Sequence, residues 1–167
     1  MDLGLDEGQQ MLRSSAREFL GAECPATHVR DMEEDERGYT PEMWRKLADQ
    51  GWLGLIFPER YGGAGLSFLD LSILLEETGR VLLPGPFFST VVLGGMAIMD
   101  AGSDAQKAEF LSGISTGQVI VTLAQTEPSA RWDAAGVQAT AEATGDGYVI
   151  SGTKLFVPNA NVSDYLL

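Results

Sequence analysis

Three groupings in this chain have the residue types of a chemical site: Gly113-Ile114-Ser115-Thr116-Gly117, Tyr61-Gly62-Gly63-Ala64-Gly65, and the single Cys24 with the single His28. The first matches the Gly-x-Ser-x-Gly pattern, which lifts a nucleophilic serine on a strand-to-helix turn. Here the order is reversed, helix before and strand after, and the one possible base, His28, brings no partner motif, which argues against serine hydrolysis. The glycine-rich turn precedes a helix and would offer phosphate a set of free N–H donors. It lacks both Gly-Lys-Ser/Thr and Gly-x-Gly-x-x-Gly, so it reads as a tight turn. One cysteine and one histidine make neither an intramolecular disulfide nor a zinc cluster, and the acidic run at 31–37 reads as a solvated face rather than a metal site. No catalytic residue and no metal ligand is assigned within the chain.

The formal charge of −13, with eleven scattered Lys and Arg among 167 residues, argues against nucleic acid as a partner. An anionic ligand must then be held locally, by backbone N–H groups and a few arginines, against the overall field. With 44% apolar residues the chain can bury a substantial core, as one domain or as one domain plus part of another. The most apolar run, Val91 to Met99, is broken by Gly94 and Gly95 and falls short of the roughly 18 residues of a membrane span. Asp2, Asp6 and Glu7 precede any basic residue, unlike a secretory signal. A soluble, cytoplasmic protein without a membrane partner is expected.

The elements that would position any site are punctuated clearly. Asp6-Glu7-Gly8-Gln9 has capping-box spacing and predicts a helix over about 6–22, after which Pro25 stops that helix or starts the next. Thr40-Pro41-Glu42 supplies an N-cap, a proline at the first helical position and an acid suited to the dipole, with Gly51 as the stop. Ser67-Phe68-Leu69-Asp70 caps a helix over 68–78, apolar on most faces and therefore central, which Gly79 is expected to close. A helix follows over 89–101, whose Gly94-Gly95 pair admits a close neighbour, and Ser103-Asp104-Ala105-Gln106 caps another through Leu111. The pattern then changes. Residues 118–124 read as a strand, Val137 to Thr144 alternate with period two, Gly145-Asp146-Gly147 turns the chain into Tyr148-Val149-Ile150, and Thr153 to Val157 predict a further strand. Residues 164–167 look like the entry to one more. An antiparallel sheet with an open edge is a poor final state, so a longer protein is expected.

Helices, then a strand ending in Thr126-Glu127-Pro128, a meander, and Gly152-Thr153-Lys154-Leu155-Phe156-Val157-Pro158-Asn159-Ala160, resemble the first two-fifths of an acyl-CoA dehydrogenase. Pro58-Glu59-Arg60-Tyr61-Gly62-Gly63-Ala64-Gly65 is similar to the family's Pro-Glu-x-Tyr-Gly-Gly-x-Gly segment, and Leu75-Glu76-Glu77-Thr78-Gly79-Arg80 follows in the right order. The resemblance implies a fold that is mainly α and then β: a helical bundle over 1–115, then over 116–167 the first strands of an antiparallel β-barrel-like domain. It implies removal of an α-proton from an acyl-CoA by a glutamate and delivery of the β-hydride to FAD, giving a 2-enoyl-CoA. Electron-transfer flavoprotein or a similar acceptor, and a homo- or hetero-oligomer, come with it as partners.

By the same resemblance Leu123, Gln125, Thr126, Phe156, Val157 and Pro158 line the flavin. The Thr126 hydroxyl and nearby amides would bond its pyrimidine edge, and an aromatic at 156 would cover one ring face. Two departures bear on this. The family's small-residue loop after Thr-Glu-Pro, on which phosphate and CoA lie, is here Ser129-Ala130-Arg131-Trp132-Asp133, which makes Arg131 and Trp132 the substrate-binding candidates. Where the family has Trp-Ile-Thr or Trp-Ile-Ser, the chain has Phe156-Val157-Pro158, and proline supplies neither a hydroxyl nor an N–H to flavin N5. The resemblance puts the catalytic glutamate beyond residue 167, and it leaves a rival reading, a flavin-less dehydrogenase-like subunit of a heteromeric enzyme.

Overall fold

A computed structural model describes residues 4–167. Among the described residues six helices and two short 3-10 turns, Trp52–Gly54 and Glu59–Tyr61, precede the strands. Helix α1 (Glu7–Glu23) starts at the Asp6 capping box, and α2 (Ala26–Glu34) starts directly after Pro25. Helix α3 (Pro41–Asp49) is capped by the Thr40 hydroxyl, which accepts from the Met43 N–H at 3.1 Å. Helix α4 (Phe68–Arg80) begins at the Ser67–Asp70 box. Gly79 does not end it; the helix runs one residue further, to Arg80, because Gly79 keeps a helical backbone and does not take the left-handed conformation that stops a helix. Helix α5 is one rod, with π-type turns over Phe88–Gly95 and α-helix over Met96–Ala101. Helix α6 passes through Asp104–Gln106, Lys107–Leu111 and Ser112–Ser115, four residues beyond the expected stop, and ends where Gly117 takes φ +72°.

The core joins Leu20 of α1, Leu47 of α3, Leu71 and Leu74 of α4, Val91 of α5 and Leu111 and Ile114 of α6 around Leu53 and Phe57. The glycine-rich turn is a packing device: a Cβ at Gly63 would stand 2.6 Å from the Gly54 carbonyl oxygen and closer still to the Phe57 carbonyl. Helices α1 and α4 are also tied by charge. Glu77, fully buried, accepts from Arg17 at 2.6 and 3.1 Å and from Arg80 at 2.8 Å, and the Arg17 bond leads in holding its carboxyl below the usual range.

Two short sheets follow. Strand β1 (Val121–Thr122) pairs with β4 (Tyr165–Leu166), and β2 (Thr140–Thr144) pairs with β3 (Gly147–Ser151) across the Gly145-Asp146 turn. The hairpin is antiparallel as expected. The β1–β4 pair is parallel, because β4 returns in the direction of β1 after the whole excursion between them. Among the described residues no barrel closes. The strand expected over 118–124 is reduced to two residues, since β4 offers only two partners, and the one expected from Val137 begins at Thr140. Residues 153–157 form no strand, for they find no ladder and Phe156 takes φ +53°. No helix among the described residues is long and apolar enough to cross a membrane.

Candidate functional site

The end of β1 is fixed from below. Gly94 in α5 lets Val121 lie directly against the helix, the Thr90 hydroxyl donates to the Val121 carbonyl at 3.0 Å, and Val121 is fully buried. From that anchor the chain runs outward through half-buried Leu123, exposed Gln125 and half-buried Thr126. Among the described residues the N–H groups of Gln125 and Thr126, and the Thr126 hydroxyl, make no hydrogen bond. Gln125 is exposed and Thr126 half-buried, so these donors face solvent and are open to a ligand acceptor.

The second segment lies alongside. The Leu155 N–H donates to the Thr126 carbonyl at 2.8 Å, which brings Phe156, Val157 and Pro158 next to Thr126. Phe156 is 91% exposed, an apolar ring held in solvent by a left-handed backbone, with Val157 half-buried and Pro158 exposed beside it. Beyond them Asn159 accepts at Oδ1 from the buried Ser89 hydroxyl of α5 at 2.9 Å, and Asp164 accepts at Oδ2 from the Ile120 N–H at 2.8 Å. The six residues expected at a flavin are thus on two adjoining segments, each pinned to the helical body.

Glu127 joins the two segments. Its side chain, 3% exposed, accepts from the Gln138 N–H at 2.6 Å, the Ala139 N–H at 3.2 Å and Lys154 Nζ at 2.8 Å. The Lys154 bond, followed by the two backbone amides, holds its carboxyl below the usual glutamate range. Sequence reasoning missed this pairing. Its signal was present, since Glu127 and Lys154 are the charged members of the two motifs that carry the resemblance.

Arg131 and Trp132 sit on the loop that Glu127 closes. Ala130 takes φ +53°, its N–H donating to the Glu127 carbonyl at 2.9 Å, and the Ser129 hydroxyl donates to the Gly136 carbonyl at 3.1 Å. Arg131 pairs with Asp133 at 2.7 Å, both exposed, and Trp132 is 74% exposed at the loop tip. These two stand apart from the Thr126–Phe156 pair, joined to it only through the loop.

The other candidates are structural. Ser115 is buried and its hydroxyl donates to the Leu111 carbonyl at 2.8 Å, so it presents no nucleophile. Cys24 is buried at the end of α1, and that burial raises its thiol pKa. His28 lies in α2, with no partner for its buried Nε2 among the described residues.

A donor-lined strand end beside an exposed aromatic ring has the chemistry to hold a planar heterocycle with a polar edge. The sequence model described as "Acyl-CoA dehydrogenase, N-terminal domain" matches residues 6–118. A "Probable acyl-CoA dehydrogenase YngJ" of Bacillus subtilis is 32% identical over 164 residues, 96% of this chain and 42% of that protein. Among solved structures, the ChsE4-ChsE5 complex from Mycobacterium tuberculosis is similar with a TM-score of 0.87 at 29% identity, over 100% of this chain and 44% of the other. An acyl-CoA dehydrogenase complexed with FAD from Bacillus anthracis gives 0.86 at 25% identity, over 98% and 28%. The chain spans about two-fifths of the length of the curated relatives it matches, 42% of the first.

Proposed function

The chain belongs to the acyl-CoA dehydrogenase family, and from that premise we propose that it forms the N-terminal part of a flavin-dependent enzyme that converts an acyl-CoA to its 2-enoyl-CoA. The dividing line between its helical domain and its β-domain falls at about residue 115. FAD, when bound, supplies the acceptor for the β-hydride, and electrons leave to electron-transfer flavoprotein or a similar acceptor.

One observation carries the reading: the 2.8 Å bond from the Leu155 N–H to the Thr126 carbonyl, which sets unbonded donors and an exposed aromatic side by side. The Gln125 and Thr126 amides and the Thr126 hydroxyl would donate to the polar edge of the flavin, and Leu123, Val157 and Phe156 would supply apolar contact to its rings. Pro158 offers no N–H to the ring. Arg131 meets an anionic arm of CoA, with Trp132 packing beside it; the exposed Arg131–Asp133 pair costs only about 0–1 kcal/mol to exchange for a phosphate. The α-proton is taken by a glutamate that is none of the carboxylates described above. The 167-residue chain alone therefore turns over no acyl-CoA, and measurable turnover by it would overturn that assignment.

The test is flavin content and the rate of flavin reduction by acyl-CoA in the full-length protein and its Pro158→Thr variant. Restoring a hydroxyl and an N–H at 158 should speed reduction by an amount worth about 1–3 kcal/mol of barrier. Normal flavin with unchanged or slower reduction would refute the role given to position 158. A second reading is favoured by the bulk of Arg131 and Trp132 and by Pro158: a flavin-less subunit that completes a heteromeric dehydrogenase. No yellow colour in either protein would select it.

A further inference from the structure

We propose that Glu127 and Lys154 are positioning residues, a charged clamp that sets the spacing between the Thr126 segment beyond β1 and the Phe156–Pro158 segment and so holds both at the flavin; this rests on the function proposed above.

The two segments need such a clamp. Among the described residues one backbone hydrogen bond, Leu155 N–H to the Thr126 carbonyl, joins them, and neither belongs to a ladder at that point. Phe156 does not anchor its own segment, for its side chain is exposed and its backbone left-handed. What remains is the Glu127 carboxylate, which gathers three donors from two stretches of chain: Gln138 and Ala139 at the entry to β2, and Lys154 two residues before Phe156. Oε1 takes Ala139 and Lys154, and Oε2 takes Gln138.

Only an acceptor-only group fits three converging donors. In Glu127→Gln the new NH2 must face an N–H or an ammonium, so at least one arm is lost with the shape nearly unchanged. Glu127 itself is 3% exposed, whereas the Lys154 side chain is 30% exposed, so water screens that arm in part. Arg131 and Asp133, the nearest charges in sequence, pair with each other and leave Lys154 as the cation on Glu127.

The experiment is amide hydrogen exchange on the full-length protein, together with FAD titration, for the native sequence, Glu127→Gln, Lys154→Met, the double variant and Lys154→Arg. We expect Leu155, Gln138 and Ala139 to exchange about tenfold faster or more in Glu127→Gln. Leu155 should do the same in Lys154→Met, while amides in α1 and α4 keep their protection. The double variant should exchange no faster than the faster single one. FAD affinity should fall about tenfold in the same variants, and Lys154→Arg should restore both the affinity and the bound-flavin spectrum. Unchanged exchange at Leu155 in both single variants overturns the clamp, as does loss of α1 and α4 protection alongside it. FAD failing to bind the full-length native protein would count against the proposed function, and the exchange pattern would still decide the clamp.

Discussion

Adding one methyl group at Gly94 should destabilise the protein, and adding the same group at Gly79 should stabilise it. Both glycines lie inside helices, where alanine gains about 0.5–1 kcal/mol over glycine. At Gly79 nothing lies within 4 Å of the new Cβ, so that gain stands alone. At Gly94 the Cβ would overlap Val121 Cγ2, with Val121 Cβ at 3.1 Å and the Val121 carbonyl carbon at 3.3 Å. Overpacking costs about 1–3 kcal/mol. The upper half of that range applies, because Val121 is fully buried and the strand backbone itself is in the way. Net destabilisation is then about 1–2.5 kcal/mol, or a fall in Tm of about 2–10 °C for a chain of this size, against a rise of about 1–4 °C for Gly79→Ala. Thermal unfolding followed by helix circular dichroism reads both. A Gly94→Ala protein that melts at or above the native temperature would refute the close α5–β1 packing. Since Val121 is five residues before Thr126, the same variant should also weaken FAD binding, whereas Gly79→Ala should leave it alone.

Acid should open the Glu127 loop before it opens the helical body's apolar core. Glu127 has a lowered folded pKa, so its contribution is complete above the unfolded glutamate value of about 4.3 and is lost as pH falls through the lower folded value. Exchange at Leu155, corrected for the intrinsic pH dependence of amide exchange, should be unaffected by this group between about pH 6 and pH 5 and lose protection as pH falls below the unfolded value of about 4.3; a loss centred above about pH 5 would contradict the clamp. Limited proteolysis should cut first within 128–167, where every residue of the β2–β3 hairpin is exposed, and first cleavage inside α4 would contradict the two-domain division.

Local chemistry made the helical part legible. The capping boxes at Asp6, Ser67 and Ser103 and the Thr40-Pro41 start each fix a helix beginning within a residue, because the stop and start of a helix are decided by a few nearby polar groups. Gly79 misled for the same reason: a glycine signals a stop only where the backbone turns left-handed, and here it does not. The sheet was less legible. Period two identifies a strand but carries no information about its partner, so neither the parallel β1–β4 pairing nor the shortness of β1 could be read from residues 118–124. Segment 153–157 has strand-forming residues but no ladder, and is held by the single Leu155–Thr126 backbone bond and by side chains, Lys154 at one end and, just past it, Asn159. The flavin candidates were found through motifs, while the Glu127–Lys154 contact that brings them together spans the whole hairpin and needed the fold to be seen.

The parallel β1–β4 pair also orders events in time. Its two halves lie at 121–122 and 165–166, so the ladder cannot close until the intervening chain has been made and has folded back. Helices and their capping turns form from neighbours and need no such wait. During synthesis Val121 can therefore seat against Gly94 while the outer edge of β1 stays unpaired, a short interval in which a sticky strand edge faces the surroundings. Asp164, whose side chain and N–H both engage Ile120, is the first residue of the returning strand's approach to reach that edge, and it covers it with a charge.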